Sequence, residues 1–261
     1  MGNDQSAARQ ARGESVPFAI WQTGGATEHL GGIYATRRLR QMCPLRPGQL
    51  LLDIGCGMGY TACSLAREHG ARVVAVDSGA RSVAEARGRV ARAGLAGQVR
   101  VVRADAHDLP CAAGSVDCVI VESVLVFCDA PRVLAEVRRA LKPGGFVGAN
   151  ELTLLKPPTP ELLRLLAETL SIRTFASDGW RALFAQAGFV DVRAAVSRMR
   201  LREQLASHIA VDGLGGYLAA AVRGLADASI LSAFINRRML KAARQYASSV
   251  GYGLYAGRKP L

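Results

Sequence analysis

Three glycines at alternate positions follow an acidic residue in the segment LLDIGCGMG. The acidic residue is Asp53, and the glycines are Gly55, Gly57 and Gly59. A glycine-rich turn between a strand and a helix lets backbone atoms approach a ligand closely, beside the partial positive charge of the helix N-terminus. The turn favours a nucleotide-like ligand, although glycines can also serve only to shape a turn. The dinucleotide pattern G-x-G-x-x-G requires a glycine where this chain has Tyr60, so a nicotinamide cofactor is disfavoured.

Two more acidic residues end the next two apolar segments. Asp77 ends RVVAVD, where a carboxylate can accept hydrogen bonds from both hydroxyls of a ribose. Taken alone, an acidic residue at this place is often a helix N-cap. Asp105 follows in VVRADAHDLP, where it can accept from the amine of an adenine while the backbone N–H of Ala106 donates to a ring nitrogen. Together the two carboxylates indicate an adenosine-containing ligand.

Strands and helices alternate between residues 49 and 150, which predicts a parallel sheet covered by helices. We expect strands at 49–54, 72–76, 99–102, 116–121 and 145–150, and helices at 60–69, 81–93 and 131–141. The carboxyl ends of parallel strands meet at one edge of a sheet. Asp53, Asp77 and Asp105 should therefore face one crevice.

The pattern changes after residue 150. Thr159 is predicted to cap a helix that begins at Pro160 and runs to about Leu170, and Ser177 to cap the next helix. Strands are expected at 189–196 and 252–258. Two or three helices are expected between them, at 201–250, and this interval is too long for a hairpin turn, so we predict a helical lid over the substrate.

The chain resembles the class I S-adenosylmethionine-dependent methyltransferases from about residue 51 to residue 150. The similarity is to the small-molecule group that includes the ubiquinone/menaquinone and sterol methyltransferases. The matching motifs are LLDIGCGMG, the strand-end Asp77, Ala104-Asp105-Ala106, DCVIVES at 117–123 and LKPGG at 141–145. The resemblance implies an α/β, Rossmann-like fold with a seven-stranded, mostly parallel sheet, helices on both faces and an antiparallel last strand. It also implies that S-adenosylmethionine lies across the carboxyl ends of strands 1 to 4.

With this resemblance the chain divides into four parts. A disordered tail is expected at 1–14, an N-terminal helical cap at 15–47, the methyltransferase core at 48–200 and 251–261, and the lid at 201–250. The resemblance also assigns the cofactor-binding residues. The methionine part is assigned to Asp53, Gly55, Cys56 and Gly57, the ribose to Asp77 and Ser78, and the adenine to Asp105 and Ala106. Gly59 of the same motif is a further cofactor-binding candidate. Tyr34 is a candidate for contact with the cofactor carboxylate, and ordinary packing is its alternative.

The catalytic candidates are Glu122, Glu28 and His29. Glu122 ends the fourth strand, near where the sulfonium and the substrate should meet. Its carboxylate is suited to bind the cofactor's amino group, to orient a substrate amine or hydroxyl, or to accept a proton, and a salt bridge is the alternative. Glu28 and His29 lie in TEHLGG, which resembles the segment that folds over the cofactor in related enzymes, and loop capping is the alternative for His29. Glu151, after the fifth strand, is a candidate for substrate contact.

Composition and charge limit the classes of partner, compartment and metal site that the chain could have. The formal net charge is +12, but the arginines are spread along the chain, as compositional bias of a genome also produces. No apolar run is long enough for a membrane span or a signal peptide, so we expect a cytoplasmic protein. The six cysteines lack CxxC spacing and are expected to be structural thiols. The remaining histidines lack partners at ligand spacing, so no metal site is predicted.

The prediction is an enzyme that transfers a methyl group from S-adenosylmethionine to a small organic molecule by in-line displacement. Such a reaction needs mainly alignment and exclusion of water, and a base only when the nucleophile arrives protonated. An RNA- or protein-directed methyltransferase is the alternative that the charge favours, although the fourth strand ends in Glu122-Ser123-Val124 and not in an NPPY-like motif. A non-catalytic nucleoside-binding protein is the other alternative. The oligomeric state is left open, with a homodimer among the options.

Overall fold

A computed structural model describes residues 29–199, 206–207, 209–210, 213–215 and 245–261 of the 261-residue chain. The predicted disordered tail, the catalytic candidate Glu28 and most of the predicted lid at 201–250 lie outside the described residues. Within the described ranges, no helix is long and apolar enough to cross a lipid bilayer.

Strands and helices alternate as expected up to the fifth strand. The strands are β1 (Leu50–Ile54), β2 (Arg72–Asp77), β3 (Val99–Arg103), β4 (Val116–Glu122), β5 (Leu141–Leu154), β6 (Phe175–Ala176), β7 (Val190–Arg198) and β8 (Val250–Arg258). The helices are α1 (Gly32–Met42), α2 (Tyr60–His69), α3 (Ala80–Arg92), α4 (Ala130–Ala140), α5 (Pro160–Arg164) and α6 (Ser177–Gln186). A 3₁₀ turn at Leu125–Phe127 follows β4, and a π-helical turn at Leu165–Thr169 follows α5.

The sheet has the order β3-β2-β1-β4-β5-β8-β7, and the two-residue β6 pairs with the end of β5. Strand β8 is antiparallel to both of its neighbours, and the other pairs are parallel. This is the expected Rossmann-like, mostly parallel sheet. The chain runs outward in one direction from β1 and in the other from β4, so a crevice is expected where these two strands lie side by side.

Helices cover both faces of the sheet, and the sheet separates the apolar core into two layers. One layer contains Leu39 from α1 and Leu65 from α2. The other contains Leu134 from α4 and Trp180 from α6. Strand β4 is buried along almost its whole length, as a central parallel strand should be. The layers hold the carboxyl ends of the central strands in fixed register.

Several predicted boundaries required correction. The fifth strand extends from 141 to 154, beyond the expected 145–150, because β4 pairs with it at Leu141 and β8 pairs with it as far as Leu154. Ser177 is the first helical residue of α6, and Ala176 occupies the N-cap position that we expected Ser177 to fill. Thr159 is confirmed as the cap of α5, since its side chain accepts a hydrogen bond from the N–H of Leu162.

Candidate active site

A cavity of about 410 Å³ opens at the carboxyl ends of β1, β2, β3 and β4. Its lining combines main-chain turns, acidic side chains and an apolar wall. The predicted site residues that line it are His29, Asp53, Gly55, Cys56, Gly57, Asp77, Ser78, Asp105, Ala106 and Glu122. The fold therefore brings together His29, which precedes α1, and candidates at the ends of these four strands.

The glycine turn after β1 is held by main-chain hydrogen bonds. The N–H groups of Gly55 and Cys56 both donate to the carbonyl of Val76, at 2.8 and 2.9 Å. Gly55 has a positive φ of 69°, and a Cβ placed on it would lie 2.2 Å from Cγ2 of Val124. A side chain at this position would therefore push apart two walls of the cavity.

Gly59 has a packing role. It is the N-cap of α2 with a positive φ, and a Cβ there would lie 3.1 Å from Cβ of Ala86 on α3. It is not among the residues that line the cavity. The structure thus separates it from Gly55 and Gly57, because the turn has already entered the helix at this point.

Asp77 joins the two loops that flank the cavity. One carboxylate oxygen accepts from the N–H of Gly57 at 3.0 Å, and the other accepts from the N–H of Gly79 at 2.8 Å. Burial raises the pKa of Asp77, and the two N–H donors oppose that increase. A carboxylate has about four acceptor positions, so these two donors and the Ser82 hydroxyl leave capacity for at least one further hydroxyl group.

Asp53 is 2% exposed, and its Oδ2 accepts no hydrogen bond from the described residues. Burial, followed by the nearby Glu122 and Asp77 carboxylates, holds the pKa of Asp53 well above its usual range. A buried carboxylate oxygen is costly unless a donor reaches it. Because Asp53 also lines the cavity, a cationic ligand group would provide that donor and favour the ionised form.

Asp105 is bound by a histidine that sequence reasoning did not assign to the site. Its Oδ1 accepts from the N–H of His107 at 2.9 Å and lies 2.7 Å from Nδ1 of the same residue. The His107 main-chain N–H is the main cause that lowers the pKa of Asp105. The N–H of Asp129 donates to Nε2 of His107 at 3.3 Å, so the ring proton is assigned to Nδ1. The D-x-H spacing was the available signal, since Asp side chains often bind the main chain two residues ahead.

Glu122 lies at the centre of a buried hydrogen-bond network. The carboxylate is 8% exposed and accepts from the hydroxyl of Thr36 at 3.0 Å and from that of Thr61 at 2.9 Å. Nδ1 of His29 lies 3.5 Å from the same carboxylate. Asn150 donates to the carbonyl of Leu30 at 2.7 Å and approaches Glu122 at 3.5 Å. The sequence carried no signal for these partners, because they come from α1, α2 and β5.

The Thr36 hydroxyl links His29 to this network. Both threonine hydroxyls donate to Glu122, so Nε2 of His29, 3.1 Å from the Thr36 hydroxyl, is assigned as the donor of that contact. The imidazole and the carboxylate therefore share one hydroxyl group.

Two other candidates lie away from the cavity. Tyr34 is 47% exposed and does not line it, because α1 buries Ile33 and Thr36 on the opposite side. Glu151 is fully buried and accepts hydrogen bonds from main-chain N–H groups. It is also absent from the cavity lining, so the interpretation of Glu151 as a substrate contact was wrong.

Within the described ranges, no group of three or more His, Cys, Asp or Glu side chains could hold a metal ion.

Comparison with known proteins matches the part of the chain that contains the cofactor motifs. Residues 52–148 match a family model described as a methyltransferase domain. The uncharacterized methyltransferase YodH of Bacillus subtilis (strain 168) is 32% identical over 167 residues, which cover 64% of this chain and 70% of YodH. The chain belongs to the class I S-adenosylmethionine-dependent methyltransferase family.

Other proteins similar to this chain are named for small-molecule acceptors. The 27-O-demethylrifamycin SV methyltransferase of Amycolatopsis mediterranei (strain S699) is 33% identical over 150 residues, 57% of this chain and 55% of that protein. The structure of Haemonchus contortus phosphoethanolamine N-methyltransferase 2 with S-adenosyl-L-methionine has the same fold. It matches with a TM-score of 0.70 and 23% identity, over 94% of this chain and 57% of that chain. The chain spans between half and two thirds of the first curated relatives it matches. The cofactor of this family is S-adenosylmethionine.

Proposed function

We propose that the chain transfers the methyl group of S-adenosylmethionine to a small organic molecule bound in the 410 Å³ cavity. The observation that carries the proposal is the placement of Asp53, Asp77 and Asp105 at the carboxyl ends of three strands, around one cavity that Glu122 also lines. Small-molecule acceptors are supported by the names of related methyltransferases, including the rifamycin enzyme.

The acidic residues fit the polar groups of the cofactor. We assign the cofactor's ammonium group to Oδ2 of Asp53, which is buried and accepts no bond from the described residues. The ribose hydroxyls are assigned to Asp77, and the adenine amine to Asp105 with the N–H of Ala106 beside it. The turn from Gly55 to Gly57 is assigned to the methionine part. When bound, the cofactor supplies a methyl group that its sulfonium has already activated.

The acceptor molecule is assigned to the apolar part of the cavity. Val126, Phe127, Leu152 and Ile172 form this wall. They exclude water and align the acceptor, which is most of what a displacement at an activated methyl group requires. We infer an acceptor with an apolar body that carries a nucleophilic hydroxyl or amine.

Glu122 and His29 are proposed to take up the proton of that nucleophile. Both residues line the cavity, and Nδ1 of His29 lies 3.5 Å from the Glu122 carboxylate, so the two groups can act on one acceptor together. A positioned acid–base group typically contributes about 10²- to 10⁴-fold to a rate. Its contribution should be largest for a hydroxyl acceptor, which is neutral and a weak nucleophile until it loses its proton.

The segment at 201–250 remains our proposal for a lid. The part that the structure describes includes Ser207, whose hydroxyl accepts a hydrogen bond from the N–H of Ile33 at 2.8 Å. Ile33 lies in the first turn of α1, close to His29, so this contact supports a lid near the cavity. A cytoplasmic location also stays a proposal, and the free thiols of Cys43, Cys63, Cys111, Cys118 and Cys128 are consistent with a reducing compartment.

The test is to incubate the purified chain with methyl-labelled S-adenosylmethionine and separate pools of phenols, alcohols, amines, thiols and quinones. We expect S-adenosylhomocysteine to accumulate only with a pool that contains an acceptor. An Asp77→Ala variant should lose this activity, and Asp178→Asn, which changes a side chain that is 95% exposed, should keep it. Tight cofactor binding with no demethylation in any pool would instead support the non-catalytic alternative.

The net charge of +12 keeps one competing function open to test. An RNA-directed methyltransferase should bind short RNA with an affinity that falls steeply with salt, as counterion release requires. We expect weak RNA binding and no label in the RNA. A log–log salt slope of several units together with labelled RNA would overturn the small-molecule assignment.

A further inference from the structure

Glu151 binds the main chain of the segment that follows β4. Its Oε1 accepts from the N–H groups of Val124 and Leu125 at 3.1 and 2.9 Å, and its Oε2 accepts from that of Val126 at 3.3 Å. These N–H groups lie at the start of a 3₁₀ turn, where the helix itself supplies no acceptor. One buried carboxylate therefore satisfies three consecutive main-chain donors.

The segment bound by Glu151 forms one wall of the cavity. Val124 and Val126 both line it. Val124 also packs so closely against the glycine turn that a Cβ on Gly55 would lie 2.2 Å from its Cγ2. A displacement of the segment would consequently change the shape of the proposed cofactor site.

The main chain just before this segment is strained. Ser123 has a φ of 58°, in the left-handed region that non-glycine residues seldom adopt. Its N–H donates to the carbonyl of Asn150 at 2.7 Å. A strained conformation persists only where surrounding contacts enforce it, and the bonds from Glu151 to the next three residues are such contacts.

The neighbouring residue on β5 holds the opposite wall. Side chains alternate between the two faces of a strand, so Asn150 and Glu151 point in opposite directions. Asn150 donates to the carbonyl of Leu30, which also lines the cavity. Two adjacent residues of β5 thus bond to two different segments that line the cavity.

We propose that Glu151 is a positioning residue that holds residues 124–126 in the conformation required for cofactor binding. It acts through main-chain hydrogen bonds and contacts neither cofactor nor substrate. The link to the cofactor rests on the proposed function, whereas the effect on the segment itself does not.

The test uses Glu151→Gln, which keeps the size of the side chain. Its amide oxygen can accept from Val124 and Leu125, but its NH₂ group faces the N–H of Val126, so at least one bond is lost. We expect faster hydrogen exchange at the amides of residues 124–126 and a dissociation constant for S-adenosylhomocysteine that rises about tenfold or more. The rate at saturating cofactor should change far less, so the effect should fall mainly on KM for the cofactor.

The matched control is Thr153→Val. Thr153 is also fully buried on β5, and its hydroxyl bonds to Tyr255 and to the carbonyl of Glu151 but not to residues 124–126. It should lower the stability of the fold and leave both the exchange at 124–126 and the affinity unchanged. Equal loss of affinity in both variants would reduce Glu151 to a general contributor to stability and overturn the proposal.

A second variant covers the case in which Glu151→Gln does not fold. Glu151→Asp keeps the carboxylate on a shorter side chain, and we expect an affinity and an exchange rate between those of wild type and those of Glu151→Gln. Wild-type exchange at 124–126 in the folded variants would overturn the proposal. Hydrogen exchange requires neither a methyl acceptor nor turnover. Failure to observe methyl transfer would therefore refute the proposed function, whereas the exchange at residues 124–126 would still test the role of Glu151.

Discussion

Nδ1 of His29 lies 3.5 Å from the carboxylate of Glu122, although one residue precedes α1 and the other ends β4. The contact forms because α1 packs beside β5 and β8 and places its N-terminus over the end of the central strands. Thr36 and Thr61 complete the contact from two helices. The arrangement leads directly to a test of proton uptake.

Glu122→Gln should lower kcat by about 10²-fold or more, because the amide keeps the shape of the side chain but takes up no proton. The loss should be greatest for a hydroxyl acceptor. Initial rates at saturating cofactor measure the effect, and Glu161→Gln on the exposed side of α5 is the control. A kcat within twofold of wild type would show that Glu122 is structural.

Asp77→Ala should weaken binding of S-adenosylhomocysteine by about 10²-fold, since hydrogen bonds to a charged group contribute roughly 1.5–3 kcal/mol each. It should also loosen the turn, because Gly57 and Gly79 lose their acceptor. Asp77→Asn retains one acceptor oxygen, so its affinity for S-adenosylhomocysteine should lie between that of wild type and that of Asp77→Ala. Titration calorimetry gives the affinities, and an unchanged value for Asp77→Ala would refute the ribose assignment.

Asp105 should make the site selective for adenine over hypoxanthine. Wild type is expected to bind S-adenosylhomocysteine at least about tenfold more tightly than its inosine analogue, because a carboxylate cannot donate to the hypoxanthine oxygen. Asp105→Asn supplies a donor and should narrow or invert the preference. His107→Ala should reduce the preference without inverting it, because Asp105 loses the contacts that orient it. Equal selectivity in all three proteins would remove Asp105 from the adenine site.

Cofactor binding should release a proton from Asp53. In the free chain burial holds the pKa of Asp53 well above its usual range, so the carboxyl stays protonated at pH values where an unfolded chain is ionised. For an acid with a raised folded-state pKa, the stability that protonation provides is present at low pH and is lost as the pH rises through that pKa. The ammonium group of the cofactor favours the ionised form, so its stabilising effect should increase with pH over this window.

Calorimetry in buffers of different ionisation enthalpy measures that release. The observed binding enthalpy should vary linearly with the ionisation enthalpy of the buffer, and the sign of the slope should correspond to proton release. The increase in melting temperature that the cofactor produces should become larger as the pH rises. Asp53→Asn should abolish the dependence, whereas Asp117→Asn, which removes a carboxylate on the amino-terminal side of β4, should retain it. A buffer-independent enthalpy in wild type would contradict the assignment.

Local patterns were sufficient for the elements that carry the cofactor motifs. The predicted helix at 60–69 has the observed bounds, and the first four strands differ from expectation by one residue at an end. Apolar runs buried between helices and the punctuation by glycine both act over a few residues, so they are visible in the sequence. The end of β5 was not predicted because its length depends on β8, a strand from the far end of the chain.

The sequence by itself determined the family, the cofactor and the sharing of one crevice by Asp53, Asp77 and Asp105. It could do so because parallel strands end at the same edge, and a residue's position at a strand end is a local property. Only the tertiary structure decided that His29 contacts Glu122, that Gly59 packs against α3, that Tyr34 faces outward and that Glu151 binds the segment 124–126. Each of these depends on which elements pack together, and side-chain partners so distant in sequence acquire their geometry only when the sheet and its helices assemble.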